Sequence, residues 1–148
     1  MIIVGYPGIG KTSLANWHND YLDVDSSRLI FDGVRPNNWA LCYVKMAEDL
    51  SKQYYKVFVS SHKEVRDNLK DIRDDIIVVC PSLDLKEEWI EKLKDRWIED
   101  PSHKNFKAWK RADERYDEDI TDLMNGPWPV IEIKDMHYEL DELIDEKA

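Results

Sequence analysis

Short apolar runs alternate along the whole chain with longer stretches in which apolar residues recur at helical spacing. The runs Met1–Val4, Tyr21–Val24, Lys56–Ser60, Ile76–Cys80 and Val130–Ile133 predict five strands. Several are β-branched and almost continuously apolar, as strands covered on both faces are. Helices are predicted over Lys11–Trp17, Asn38–Gln53, Lys63–Arg73, Leu85–Ile98, Lys107–Met124 and Tyr138–Asp145. Strands alternating with helices in this way predict an α/β domain with a parallel sheet and crossover helices. Asn125-Gly126-Pro127 ends the longest helix. Leu85, Trp89, Leu93 and Trp97 recur every four residues, which predicts a core-facing helix seam rather than a base-stacking platform. Between Ile98 and Phe106 the pattern lapses around Asp100-Pro101-Ser102, and an exposed loop is expected there. There is no internal repeat, low-complexity tract or linker, so residues 1–148 are expected to form a single domain.

Composition narrows this picture. A chain of 148 residues can bury a real core but is short for two domains, and 43% hydrophobic content suits a soluble globular class. No apolar run approaches the roughly 18 residues of a membrane span, and no basic leader precedes an apolar stretch. A cytoplasmic, non-membrane protein is expected. Cys42 and Cys80 have neither metal spacing nor a disulfide framework, and both are expected as core or near-core thiols in a reducing compartment. The net charge of −10 argues against broad binding to nucleic acid or anionic membrane. A small anionic ligand is still compatible, because a local basic pocket can sit on an acidic protein.

The chemistry is concentrated near the N-terminus. Gly5-Tyr6-Pro7-Gly8-Ile9-Gly10-Lys11-Thr12 satisfies G-x-x-x-x-G-K-[ST] at every fixed position. Ile2-Ile3-Val4 supplies the strand before it, and Ser13-Leu14-Ala15 opens a helix after it. A triphosphate can be wrapped in main-chain N–H groups only where the backbone approaches closely and adopts conformations barred to a Cβ. Glycines at 5, 8 and 10 permit that, and the following helix would aim its positive end at the phosphates. The expected ligand is ATP with Mg²⁺. Gly5, Gly8, Ile9, Gly10, Lys11, Thr12 and Ser13 would line the phosphates, Lys11 would reach the β/γ-phosphates and Thr12 would ligate the metal.

Other features narrow the class. No N/T-K-x-D motif of guanine-specific GTPases occurs, and the chain is short for an oligomeric AAA-type ATPase. Neither Val57-Phe58-Val59-Ser60 nor Ile76-Ile77-Val78-Val79 ends in the acidic residue of a Walker B strand. Acidic residues stand instead in Tyr21-Leu22-Asp23-Val24-Asp25-Ser26-Ser27-Arg28. With the phosphate loop, this segment resembles the nucleoside monophosphate kinase-like superfamily, which includes adenylate kinase, shikimate kinase and polynucleotide 5′-kinase families. Several members carry D-x-x-R after the second strand, and Asp23 and Asp25 resemble the D-x-D of shikimate kinases. The phosphate loop carries most of this resemblance; D-x-x-R alone is a weak pattern.

The resemblance implies a three-layer α/β/α sandwich with strand order 2-3-1-4-5, an acceptor-binding segment at about 26–55 and a short lid at about 96–115. It implies a small kinase moving the γ-phosphoryl of ATP to an acceptor, with a nucleoside or deoxynucleoside monophosphate favoured. Asp25 would orient or deprotonate an acceptor hydroxyl, or bind a phosphate acceptor; Asp23 would assist the acceptor or metal water. Arg28 and Arg66 would hold an acceptor phosphate. Arg96, Arg111 or Arg115 would neutralise charge on the transferring group. Ordinary alternatives stand beside these roles. Asp25 or Ser26 can cap a helix, and Arg66 can be a surface helix arginine. His62 is more often a cap or loop residue. The basic helix can be held by Lys110–Glu114 and Arg115–Asp119 pairs at i,i+4 spacing. Trp39 and Tyr43 are expected to pack rather than to stack on a base. The rival functions are a polynucleotide 5′-hydroxyl kinase and a nucleotide-binding switch or assembly module with little turnover.

Overall fold

Residues 1–26, 30, 33–54, 56–72 and 74–147 are described by a computed structural model. The apolar runs form β1 (Ile2–Gly5), β2 (Tyr21–Asp23), β3 (Lys56–Ser60), β4 (Ile76–Pro81) and β5 (Val130–Ile133). They make one five-stranded parallel sheet in the order β2-β3-β1-β4-β5. Helices flank it, as a three-layer α/β/α sandwich requires: α1 (Lys11–Trp17), α2 (Trp39–Ser51), α3 (Lys63–Leu69), α4 (Lys86–Glu99), α5 (His103–Met124) and α6 (Leu140–Lys147). A 3₁₀ turn, Leu83–Leu85, precedes α4. No described helix is long and apolar enough to cross a membrane.

By its internal contacts the chain divides into two compact units, one of residues 1–5 and 10–78, the other of residues 6–9 and 79–148. In the first unit, Ile2, Ile3 and Val4 pair with Val57, Phe58 and Val59, and all six are fully buried. Burying each such side chain stabilises by about 1.5–3 kcal/mol. The register sets Gly5 against Ser60 and Asp23 against Phe58. Asp25, two residues beyond Asp23, therefore lies level with the carboxyl end of β3. Tyr43, Val44 and Ala47 of α2 and Val65 and Leu69 of α3 complete this core.

In the second unit Trp89 and Leu93 of α4, Tyr116 and Ile120 of α5, Ile131 and Ile133 of β5 and Ile144 of α6 are all at most 5% exposed. The seam expected on α4 is there at its centre. At its far end Trp97 is half-buried and stacks on Trp109 of α5, ring centroids 5.0 Å apart.

Four local expectations differ. Helix α5 starts at His103, not Lys107, because the Ser102 hydroxyl accepts from Asn105 N at 3.1 Å and the Asn105 amide donates to the Asp100 carbonyl at 2.9 Å. That cap reduces the expected loop to Asp100-Pro101-Ser102. Helix α3 stops at Leu69, where Ile72 N closes a tight turn onto the Leu69 carbonyl at 3.0 Å. Tyr138 precedes α6 rather than opening it. Cys42 is exposed on α2, whereas Cys80 is buried as expected and burial pushes its thiol up to about 12.

Candidate functional site

Gly8 and Gly10 have φ of 90° and 107°, a left-handed conformation that side chains disfavour, and Gly10 leads directly into α1. The alternation of positive φ bends residues 5–12 into a tight loop at the carboxyl end of β1. A side chain is excluded at Gly8 for a second reason: a Cβ there would lie 3.1 Å from Leu93 Cδ2 and 3.2 Å from Trp89 Nε1.

Within the first unit, the Lys11 ammonium donates to the Gly5 carbonyl at 3.1 Å, so the lysine folds back over its own loop. The Thr12 hydroxyl donates to Asp23 Oδ2 at 2.8 Å. This bond joins the start of α1 to the carboxyl end of β2 and places a hydroxyl and a carboxylate side by side. Both are hard oxygen donors, which suits a cation such as Mg²⁺ that keeps several waters and binds through one or two protein oxygens plus phosphate. Ser13 is exposed next to Thr12.

Asp25 is half-buried just past β2. Its segment is fixed from beneath by Tyr43, fully buried, whose hydroxyl donates to the Val24 carbonyl at 2.6 Å and accepts from Ser60 N at 3.0 Å. One phenol thus clamps the ends of β2 and β3 in line. Burial raises the Tyr43 phenol well above its usual range, with Asp23 and Asp25 adding to the effect and the Ser60 hydrogen bond opposing it. Trp39 also packs: it is 8% exposed, donates to Glu64 Oε2 at 3.1 Å and lies under the Arg35 guanidinium at 4.1 Å. Arg66 Nε donates to the Ser61 carbonyl at 2.9 Å, which anchors the guanidinium at the carboxyl end of β3. His62 is the residue before α3, with its ring edge-on to Trp39. Arg28 lies outside the described residues.

In the second unit, the loop residues 6–9 are held from several sides. Tyr6 N donates to the Val79 carbonyl at 3.1 Å, and its ring meets Tyr116 edge-on at 5.9 Å. Ile9 is 1% exposed. Trp89 Nε1 donates to the Pro7 carbonyl at 2.8 Å, and the Tyr138 hydroxyl donates to the Ile9 carbonyl at 2.7 Å. Sequence reasoning placed Trp89 in the core seam and Tyr138 at a helix start, and missed both bonds. The available signal was chemical: a buried tryptophan or tyrosine needs a partner for its N–H or O–H.

Arg111 and Arg115 are on α5 with carboxylate partners on the same helix. Arg111 holds Asp119 through Nε and Nη2 at 2.8 and 2.9 Å, and Arg115 pairs with Glu118. The Arg115–Asp119 pair expected from spacing is replaced because the backbone at Arg115 is non-helical, φ −138° and ψ 22°. In a straight helix residues eight apart are separated by about 12 Å along the axis; the kink lets Arg111 reach Asp119. The hydrogen bonds to Asp119 hold the Arg111 guanidinium above its usual value. Arg96 and Lys92 lie one turn apart on α4, and burial lowers the pKa of each. Among the described residues Arg96 Nε is buried with no hydrogen-bond partner.

No protein-family model matches the chain, and no curated protein matches it significantly.

Proposed function

We propose that this chain is a P-loop kinase of the nucleoside monophosphate kinase-like type. It would transfer the γ-phosphoryl group of ATP to a small acceptor, with a nucleoside or deoxynucleoside monophosphate preferred. One observation carries the reading: the hydroxyl of Thr12, the last residue of the G-x-x-x-x-G-K-T loop, is bonded to Asp23 at the carboxyl end of β2. A threonine and an acidic strand end beside a glycine loop are the parts a P-loop protein uses to hold a metal nucleotide.

In this reading the amides of the loop and the Lys11 ammonium bind the β- and γ-phosphates, Lys11 exchanging the Gly5 carbonyl for phosphate oxygen. Thr12 and Asp23 hold Mg²⁺, which when bound neutralises charge on the phosphate oxygens. Asp25 faces the acceptor and takes the proton of a hydroxyl acceptor, or orients a phosphate acceptor that needs no base. Arg66, anchored through Nε, offers its Nη groups to an acceptor phosphate, as arginine does well through paired donors. Arg28 would join it. Arg111 and Arg115 would reach phosphate only by exchanging Asp119 and Glu118. Phosphoryl transfer is largely positioning and electrostatics, so this cast is sufficient.

Those two occupied arginines favour a second reading, an ATP-binding switch with little turnover. The test is ADP release from Mg-ATP with a panel of nucleosides, nucleoside monophosphates and 5′-hydroxyl oligonucleotides. Release that depends on a monophosphate supports the kinase reading. Release driven mainly by the oligonucleotide would replace it with a polynucleotide 5′-kinase, and acceptor-independent or absent release with the switch.

A further inference from the structure

Two carbonyls of the phosphate loop are tied back by side chains from far along the chain, 82 and 129 residues away. Trp89, fully buried on α4, holds the Pro7 carbonyl; Tyr138, between β5 and α6, holds the Ile9 carbonyl. The two rings stack with centroids 6.3 Å apart and planes 22° from parallel. The Lys92 ammonium lies 4.4 Å from the Trp89 ring centroid and 3.4 Å from the Tyr138 oxygen. Gly8 makes this possible, since its missing Cβ leaves room for the indole against the loop.

In a trans peptide the C=O and N–H point in opposite directions. The Pro7 carbonyl shares its peptide with the Gly8 N–H, and the Ile9 carbonyl shares its peptide with the Gly10 N–H. There is no cis peptide bond among the described residues. A carbonyl held toward Trp89 or Tyr138 therefore turns the paired amide hydrogen the other way. We propose that Trp89 and Tyr138 are positioning residues of the phosphate loop, which hold the Pro7 and Ile9 carbonyls so that the Gly8 and Gly10 amides are preset to bind nucleotide phosphate. Lys92 donates to the Tyr138 oxygen while the tyrosine donates to Ile9, and bonds in series polarise one another. Donors fixed before the ligand arrives bind more tightly, because no reorganisation is needed on binding. This inference rests on the reading of residues 5–12 as a phosphate site.

The test uses the full chain with Mg-ADP as probe. Trp89→Phe removes the indole donor together with part of a fully buried ring, a packing loss that the Tm comparison reads, and Tyr138→Phe removes only the hydroxyl. Ile144→Ala, a fully buried position on α6 bonded to neither carbonyl, reports destabilisation alone. Calorimetry gives Kd, thermal melting gives Tm, and ¹⁵N–¹H spectra follow the Gly8 and Gly10 amides. Each aromatic variant is expected to raise Kd about three- to tenfold, the worth of one hydrogen bond. Trp89→Phe should shift the Gly8 amide in the free protein and Tyr138→Phe the Gly10 amide. Ile144→Ala should lower Tm with Kd unchanged. If one aromatic variant does not fold, the other carries the test. Wild-type Kd and unshifted amides in a folded aromatic variant, with binding lost in Lys11→Ala, would overturn the positioning role and leave the phosphate site standing. A wild-type chain that does not bind Mg-ADP would overturn both.

Discussion

Gly8→Ala should be among the most damaging single-methyl additions to this protein, and Gly33→Ala provides its control. At Gly8 the φ of +90° costs an L side chain about 1–2 kcal/mol. The added Cβ would also meet Leu93 Cδ2 at 3.1 Å and Trp89 Nε1 at 3.2 Å. Those side chains are 1% and 0% exposed, so neither can swing into solvent to make room. Overpacking of this kind costs about 1–3 kcal/mol. The reduced entropy of the unfolded chain returns about 0.4–1 kcal/mol, leaving a net loss of about 1–4.6 kcal/mol. Gly33 has φ +78° with nothing within 4 Å of its Cβ position, so only the conformational part applies, a net loss of about 0–1.6 kcal/mol. Urea unfolding followed by tryptophan emission measures both. Gly8→Ala should also weaken nucleotide binding, because the methyl displaces the indole from the Pro7 carbonyl. Equal destabilisation by the two substitutions would refute the packing argument and the close approach on which it depends.

Three further outcomes follow from the geometry. Thr12→Val and Asp23→Asn should each weaken Mg-ATP binding far more than metal-free ATP binding, read by calorimetry with and without Mg²⁺; equal loss in both would remove the pair from the metal site. Asp25→Asn should lower turnover by about 10²-fold with a hydroxyl acceptor, and a fall below about tenfold would remove the base role. Stability should decline in alkali. The Cys80 thiol rises from 9.0 to about 12 and the Tyr138 phenol from 10.0 to about 12, both chiefly through burial. Burial likewise raises the phenols of Tyr6, Tyr43 and Tyr116. A raised folded-state pKa gives stability that is present below the unfolded value and lost as pH climbs through the folded one. The lowered pKa values of Lys92 and Arg96 oppose this, but as two groups against five. Tm should therefore fall steadily from about pH 9 upward, and a flat profile to pH 11 would contradict the burial assigned to these groups.

The centre of the sheet was legible because β1, β3 and β4 are nearly continuous apolar runs, as strands buried on both faces are. The strand order came from resemblance, through one contiguous motif whose chemistry dictates its own spacing. What the sequence left hidden lies in bonds between distant segments. Thr12 to Asp23, Tyr43 to Val24 and Ser60, and Trp89 and Tyr138 to the loop carbonyls leave no periodic trace. Local rules also failed where a local exception intervened. The i,i+4 rule misassigned Asp119 because the backbone breaks at Arg115, and the start of α5 was missed because Ser102 caps a run whose first residues are polar.

The most direct measurement of the phosphate-site reading is calorimetric titration of Mg-ATP into the wild-type chain and into Lys11→Ala. Lys11 bonds the Gly5 carbonyl of its own loop, and its removal is expected to leave the chain folded. Saturable binding at one site in the wild type, lost in a folded Lys11→Ala variant, is the expected result. Absence of binding in the wild type, or equal affinity in the two proteins, would contradict it.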